Sequence, residues 1–295
     1  EGTAPGDLSP DTAYIVMGRD LAALDAHDGS TDGRIDLQVI PDVAGIGSYR
    51  VVSSDPDIDS RYIGYRLAMG DADGDGRTDI LIADLRLGVF PSGFSSTGGA
   101  HLLYGADLAG LAAMNPVANT IDLADLRSAG GPIFYTIQGY GTSNNGGVGL
   151  GNITGDADAA RDDVVLGFDY WNPDADGRFG PGAVFVLDAG DIDALRNDTA
   201  PQGMVEVDLV SSLRSPNSYI LGGIGNFYNG DTLSVVDDFD GDGRADLLIG
   251  STGAFLVASG DLAALDAVDG TDQRIDLGNV AAHGPNSFHI TDGEE

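Results

Sequence analysis

Residues 70–84 read GDADGDGRTDILIAD, placing Asp71, Asp73, Asp75 and Asp79 within nine positions, directly ahead of an apolar run. A second stretch, DFDGDGRADLLIG at 238–250, repeats the arrangement with Asp238, Asp240, Asp242 and Asp246. Alternate residues of a glycine-bent loop point inward, so positions one, three, five and nine can converge on one centre. Gly74, Gly76, Gly241 and Gly243 supply the backbone freedom for such a bend. Carboxylates held this close repel one another and resist ionisation unless a cation sits between them. The backbone carbonyl of Arg77 or Arg244, at position seven, can complete an oxygen cage. Hard oxygen donors without nitrogen or sulfur favour calcium over magnesium, zinc or copper.

An EF-hand also begins D-x-D-x-D-G, but it needs a bidentate acid at position twelve. That position holds Ile82 in one loop and Ile249 in the other. The last ligand is instead the aspartate at position nine, where a strand begins. A third loop, GNITGDADAARDDVVLG at 151–167, departs from the pattern by three inserted residues. It offers Asn152, Thr154, Asp156 and Asp163, with Asp158 as a substitute, and its lower formal charge predicts a weaker calcium site. Asn172, Asp174 and Asp176 lack a downstream acid at the right distance and read as a plain turn. Asp55, Asp57 and Asp59 read as a solvated loop.

The two aspartate loops resemble the FG-GAP repeats of integrin alpha subunits and of many bacterial surface proteins. Ile63-Gly64 and Val148-Gly149 match the FG position, whereas the GAP position is weak at Ala83-Asp84, Gly167-Phe168 and Gly250-Ser251. The resemblance implies an all-β fold, a β-propeller of four-stranded blades with calcium in the loop joining two strands of a blade. It also implies loops that recognise proteins or glycans at a cell surface.

Internal repetition supports the same organisation independently. AYIVMGRDLAALDAHDG at 13–29 returns as AHLLYGADLAGLAAM at 100–114, AVFVLDAGDIDALRN at 183–197 and AFLVASGDLAALDAVDG at 254–270. The starting alanines are 87, 83 and 71 residues apart. Each copy opens with a strand-length apolar run. Aspartate then stands where an N-cap belongs, ahead of one or two helical turns. An apolar-Asp-Leu step follows, at Ile35-Asp36-Leu37, Ile121-Asp122-Leu123, Val207-Asp208-Leu209 and Ile275-Asp276-Leu277. SYRVV, FYTIQ, SYILGG and SFHIT come next as further strands. About four strands and a helical turn per repeat make one propeller blade.

The whole chain, 1–295, is therefore expected to form one propeller or propeller segment. Its repeats run roughly over 13–99, 100–182, 183–253 and a partial 254–295. With blades opening at SYRVV, FYTIQ and SYILGG, three are complete and half-blades remain at the termini. The ends then close a small ring, belong to a larger propeller, or are completed by the next molecule. EGTAPGDLSP reads as the start of a processed or excised piece.

Composition narrows the function classes. The net charge is −33, every basic residue is arginine, and only Glu1, Glu206, Glu294 and Glu295 among the 47 acids are glutamate. Such a surface repels nucleic acid and anionic lipid. No cysteine is present, which excludes disulfides, thiolate metal sites and a cysteine nucleophile. No apolar run is long enough for a membrane-spanning helix. His27, His101, His283 and His289 lack ligand spacing, and GGIGNF at 222–227 reads as a glycine turn, not a phosphate site. Catalysis is not expected.

The expectation is a non-catalytic, calcium-binding module, secreted or at the cell surface, that engages an extracellular protein or glycan. Tyr140, Trp171, Phe179, Phe227 and Tyr228 stand in glycine-rich loops as candidate contacts. The alternatives are a fibre or array subunit joined to further copies of itself through half-blades, and an accessory domain of a secreted enzyme. Sequons occur at Asn152 and Asn197, the first overlapping the middle loop.

Overall fold

The computed structural model describes residues 12–54, 63–84, 99–124, 134–138, 145–155, 160–168, 182–192, 204–206, 217–222, 230–250 and 253–291. The chain is mostly β-sheet, as expected, with four sheets and a few short helices. Three sheets share one plan. The second holds β3 (Ile63–Gly70), β4 (Asp79–Asp84), β5 (Gly99–Leu103) and β7 (Phe134–Gln138) as an antiparallel meander. The third repeats this with β8 (Asn145–Gly151), β9 (Asp163–Phe168), β10 (Ala183–Leu187) and β12 (Tyr219–Gly222). The fourth does so with β13 (Thr232–Val236), β14 (Asp246–Gly250), β15 (Ala254–Val257) and β17 (Phe288–Ile290). Among the described residues the first sheet contains the counterparts of only the last two strands, β1 (Ala13–Ile15) and β2 (Tyr49–Val52).

This grouping shows how the repeated runs pair. SYRVV pairs antiparallel with the preceding AYI run, as FYTIQ, SYILGG and SFHIT pair with theirs, and so ends a sheet instead of opening one. Each full sheet opens at the strand before an aspartate loop, and the partial sheet is at the N-terminal end.

A fifth strand closes most sheet edges from outside. β6 (Thr120–Asp122), in the connection between β5 and β7, adds in parallel to β2 of the preceding sheet. β11 (Met204–Glu206) adds likewise to β7, and β16 (Arg274–Asp276) to β12. The apolar-Asp-Leu steps thus form exchanged strands at Ile121 and Ile275. Val207-Asp208-Leu209 lies outside the described residues, just after β11. Ile35-Asp36 forms no strand and leads into a 3-10 turn, Leu37–Asp42.

The sheets stack in chain order around three apolar layers. Leu81, Leu102, Val148, Leu166 and Phe185 join the second sheet to the third, where Phe168 and Phe185 meet edge to face at 5.5 Å. Such a pair adds about 0.5–1.5 kcal/mol beyond its buried area. The glycines of β8 explain how closely the third and fourth sheets approach. A Cβ on Gly149 would lie 2.4 Å from Val235 and one on Gly147 2.2 Å from Leu233, so only hydrogen fits. Val148 and Leu150, pointing the other way, are buried against the second sheet.

The short helices α1 (Leu21–Asp25), α2 (Leu108–Ala112) and α3 (Leu262–Asp269) fall where expected. The preceding aspartates do not cap them through their side chains. Buried Asp20 instead accepts hydrogen bonds from the Ser48 hydroxyl and Gly47 amide, and buried Asp261 from the Ser287 hydroxyl and Asn286 amide. Ser218 donates to Asp191 in the same way. Each serine oxygen also accepts the amide at the end of the neighbouring strand, from Met17, Asp188 or Ala258. The aspartate therefore staples the helical turn to the start of the fourth strand instead of serving the helix.

Candidate metal centre

Both aspartate loops fold by the same ladder of side-chain-to-backbone bonds. In the first, Asp73 accepts from the Asp75 amide at 3.0 Å, Asp75 from the Arg77 amide at 2.8 Å, and Asp71 from the Gly76 amide at 2.8 Å. In the second, Asp240 accepts from Asp242 at 3.1 Å, Asp242 from Arg244 at 2.9 Å, and Asp238 from Gly243 at 2.9 Å. Aspartate suits such turns because its short side chain reaches a backbone N–H two residues on. The turn needs left-handed backbone at Gly74 and Gly76 (φ 76° and 79°) and at Gly241 and Gly243 (φ 87° and 91°).

The position-nine aspartates differ from the others. Asp79, Asp163 and Asp246 each begin a strand and are buried. Asp79 accepts from the amides of Ala72 and Gly105, both at 2.8 Å, and of Asp73 at 3.3 Å. Asp163 accepts from Ile153, Thr154 and Ala189, and Asp246 from Phe239 and Ser259. One carboxylate thus ties its own loop to the end of the third strand of the same sheet. Burial pushes Asp79 and Asp163 up to about 6, against the downward pull of those hydrogen bonds. Burial also raises Asp73, with the like charges of Asp75 and Asp71 adding to it.

Carboxylate oxygens of Asp71, Asp73 and Asp79 lie within 4.8 Å of one another, as do those of Asp238, Asp240 and Asp246. Positions one, three and nine therefore converge in both loops, and these two groups of acids could hold a metal ion. Asp75 and Asp242 are not part of either group. Asp242 turns to Arg244, accepting from Nη2 at 2.7 Å and Nε at 3.0 Å, and Asp75 lies 3.8 Å from Arg77 Nε. Arg77 and Arg244 enter this geometry through their amides and guanidinium groups. Asp71 Oδ1 is buried without a hydrogen-bond partner, an oxygen that an oxophilic cation would satisfy. The donor set is all oxygen, which fits a hard divalent ion.

The middle loop gathers no comparable group among the described residues. Thr154 Oγ1 donates to Asp188 at 3.3 Å and Asp163 is taken up by backbone amides. Asp156 and Asp158 lie outside the described residues, as do Asp55, Asp57, Asp59, Asn172, Asp174, Asp176, Tyr140, Trp171, Phe179, Phe227 and Tyr228. His101 lies on β5 and His289 on β17, where it stacks on Phe255 at 4.3 Å.

Sequence reasoning missed an Arg-x-Asp signature shared by all three loops, at Arg77, Arg161 and Arg244. Arg161 Nε donates to the Ala72 carbonyl at 3.0 Å and lies over Gly74 of the loop before it. Arg244 reaches the Thr154 carbonyl at 3.4 Å and lies over Gly155. The residue after each arginine binds the same preceding loop, Asp162 N to the Asp71 carbonyl at 2.8 Å and Ala245 N to the Asn152 carbonyl at 2.9 Å. Arg161 and Arg244 thus link each loop to the one before it, and the charge of Arg161 also favours ionised Asp73.

Comparison with family models and with curated proteins returns no match for this chain. Among the described residues no helix is long and apolar enough to cross a membrane.

Proposed function

We propose that this chain is a calcium-stabilised β-propeller module of the FG-GAP type. In this reading it belongs to a secreted or cell-surface protein and acts by binding an extracellular protein or glycan, without catalysis. The observation that carries the proposal is the convergence of Asp71, Asp73 and Asp79, repeated at Asp238, Asp240 and Asp246. Two loops two sheets apart reproduce one oxygen arrangement down to the order of their hydrogen bonds. The sequential stack of four-stranded meanders supports the propeller, and the resemblance of the loops supports the family.

Asp71, Asp73 and Asp79 would hold calcium in the first loop, and Asp238, Asp240 and Asp246 in the third. The Arg77 and Arg244 carbonyls would complete each shell, and Asp75 and Asp242 would join on rotation away from their arginines. In the middle loop Asn152, Thr154, Asp156 and Asp163 would form the weaker site. A bound cation relieves the repulsion within each loop, so its binding free energy becomes folding free energy. The acidic surface would suit a neutral or basic ligand and disfavour nucleic acid.

Calorimetric calcium titration of the chelator-treated protein tests the reading. Two strong sites are expected, one lost in Asp73→Ala and the other in Asp240→Ala, with magnesium binding more weakly. Absence of heat, together with a melting temperature indifferent to calcium, would reject it.

A further inference from the structure

Among the described residues the fifth-strand exchange occurs three times and leaves one edge without its strand. In each case the added strand comes from the connection between the third and fourth strands of the following sheet. In β16 that segment is Arg274-Ile275-Asp276, followed by Leu277, with Ile275 buried between sheets. The fourth sheet gains no such strand among the described residues, and β17 is its edge. There Phe288 and Ile290 are 54% and 51% exposed, whereas their counterparts on β12, Tyr219 and Leu221, are 8% and 0% exposed.

The missing strand has a match elsewhere in the chain. Arg34-Ile35-Asp36-Leu37 is identical to Arg274-Ile275-Asp276-Leu277 and occupies the same connection, between the strands of the first sheet. Its backbone is already set for the role, with Asp36 at φ −85°, ψ 108° against −78°, 115° for Asp276. Asp36 caps the following 3-10 turn through the Gln38 amide at 2.9 Å, as Asp276 does through Gly278 at 2.8 Å. No sheet pairs with it among the described residues.

We infer that the outer edge of β17 is a docking site for the Arg34–Asp36 segment of a second copy of this chain. The segment adds in parallel, as β16 does to β12, and lays the first sheet of that copy over Phe288 and Ile290. The β12–β16 register places Leu221 opposite Ile275, so Ile290 stands opposite Ile35. The second copy is the occupant because the contact continues an interface that the molecule already builds three times within itself. It is heterologous, head to tail. Two copies of charge −33 repel, so the association strengthens with salt. It uses no residue of the aspartate loops and so is independent of the metal reading.

The absence of cysteine makes the test direct. Ile35→Cys and Ile290→Cys proteins are mixed in about 0.5 M salt, where repulsion is screened, and joined with a short bismaleimide. A covalent dimer is expected in the mixture and in neither protein alone. By sedimentation, wild-type mass rises with concentration, and Ile35→Pro, lacking the strand N–H, associates about tenfold more weakly with its melting curve unchanged. A protein monomeric at every concentration, or a mixture that does not crosslink, overturns the inference. So does a double variant, Ile35→Cys with Ile290→Cys, that crosslinks within single chains, because each molecule would then cover its own edge.

Discussion

The first and third aspartate loops and the middle loop share a buried position-nine carboxylate but not a convergent acid group. Asp79, Asp163 and Asp246 each bind backbone amides of their loop and of the adjoining strand end. Only in the outer two loops do positions one and three bring further carboxylates within 4.8 Å among the described residues. The comparison separates two jobs that one aspartate-rich motif combines. Position nine ties the loop to the strand end, and positions one and three, besides accepting amides within the turn, give it a charge that a cation can relieve.

The largest effect is expected where the turn itself is broken. Asp163→Ala leaves three amide donors without their acceptor and should cost about 3 kcal/mol or more, equally in chelator and at calcium levels that fill only the two strong sites, by denaturant melts. A calcium-dependent loss there would merge the two jobs. Removing calcium from the wild type comes next, with about 2.7 kcal/mol per site lost relative to a hundredfold excess over Kd. Asp73→Ala and Asp240→Ala should abolish that dependence loop by loop, and in chelator they should melt no lower than the wild type.

A smaller effect follows from protonation. Asp79 and Asp163 are held at about 6 against an ordinary 3.8, so the folded chain keeps protons that the unfolded chain has released. The stability this confers is present below about pH 4 and is lost as pH rises through about 6. In chelator the melting temperature should therefore carry a falling component across that window. Calcium that fills only the two strong sites should remove the share of Asp79 and leave that of Asp163, which Asp163→Asn would then eliminate. A still smaller effect is expected for Arg244→Ala, which loses a partly exposed pair with Asp242 worth about 0.2–1 kcal/mol. Arg77→Ala should cost less still, because its side chain is more exposed and lies farther from its acid.

Much of this was legible from patterns of short range. Apolar runs marked the strands, glycine and aspartate marked the loops, and the repeats of DLAALDA marked the helical turns. Sheet membership was not legible, because SYRVV is equally apolar whether it opens one sheet or ends another. The exchanged strands escaped for the same reason: three residues such as Arg274–Asp276 acquire a partner only across the stack. The Asp–Ser staples were visible as serine before the fourth strand at Ser48, Ser218 and Ser287. They were overshadowed by the N-cap reading of Asp20 and Asp261, which local propensity favours and tertiary hydrogen bonding overrides. The Arg-x-Asp signature could have been found by aligning the loops on position nine, since the inserted residues displace only what precedes it.

The borrowed fifth strand also imposes an order on synthesis. The edge at β7 is in place by Gln138, yet the strand that covers it begins at Met204, 66 positions later. At about 5–20 residues per second, a ribosome leaves that edge bare for roughly 3–13 s. A nascent chain in that interval presents unpaired backbone to whatever lies nearby. Its charge, spread along every segment already made, keeps neighbouring nascent chains apart until the next repeat arrives to cover the edge.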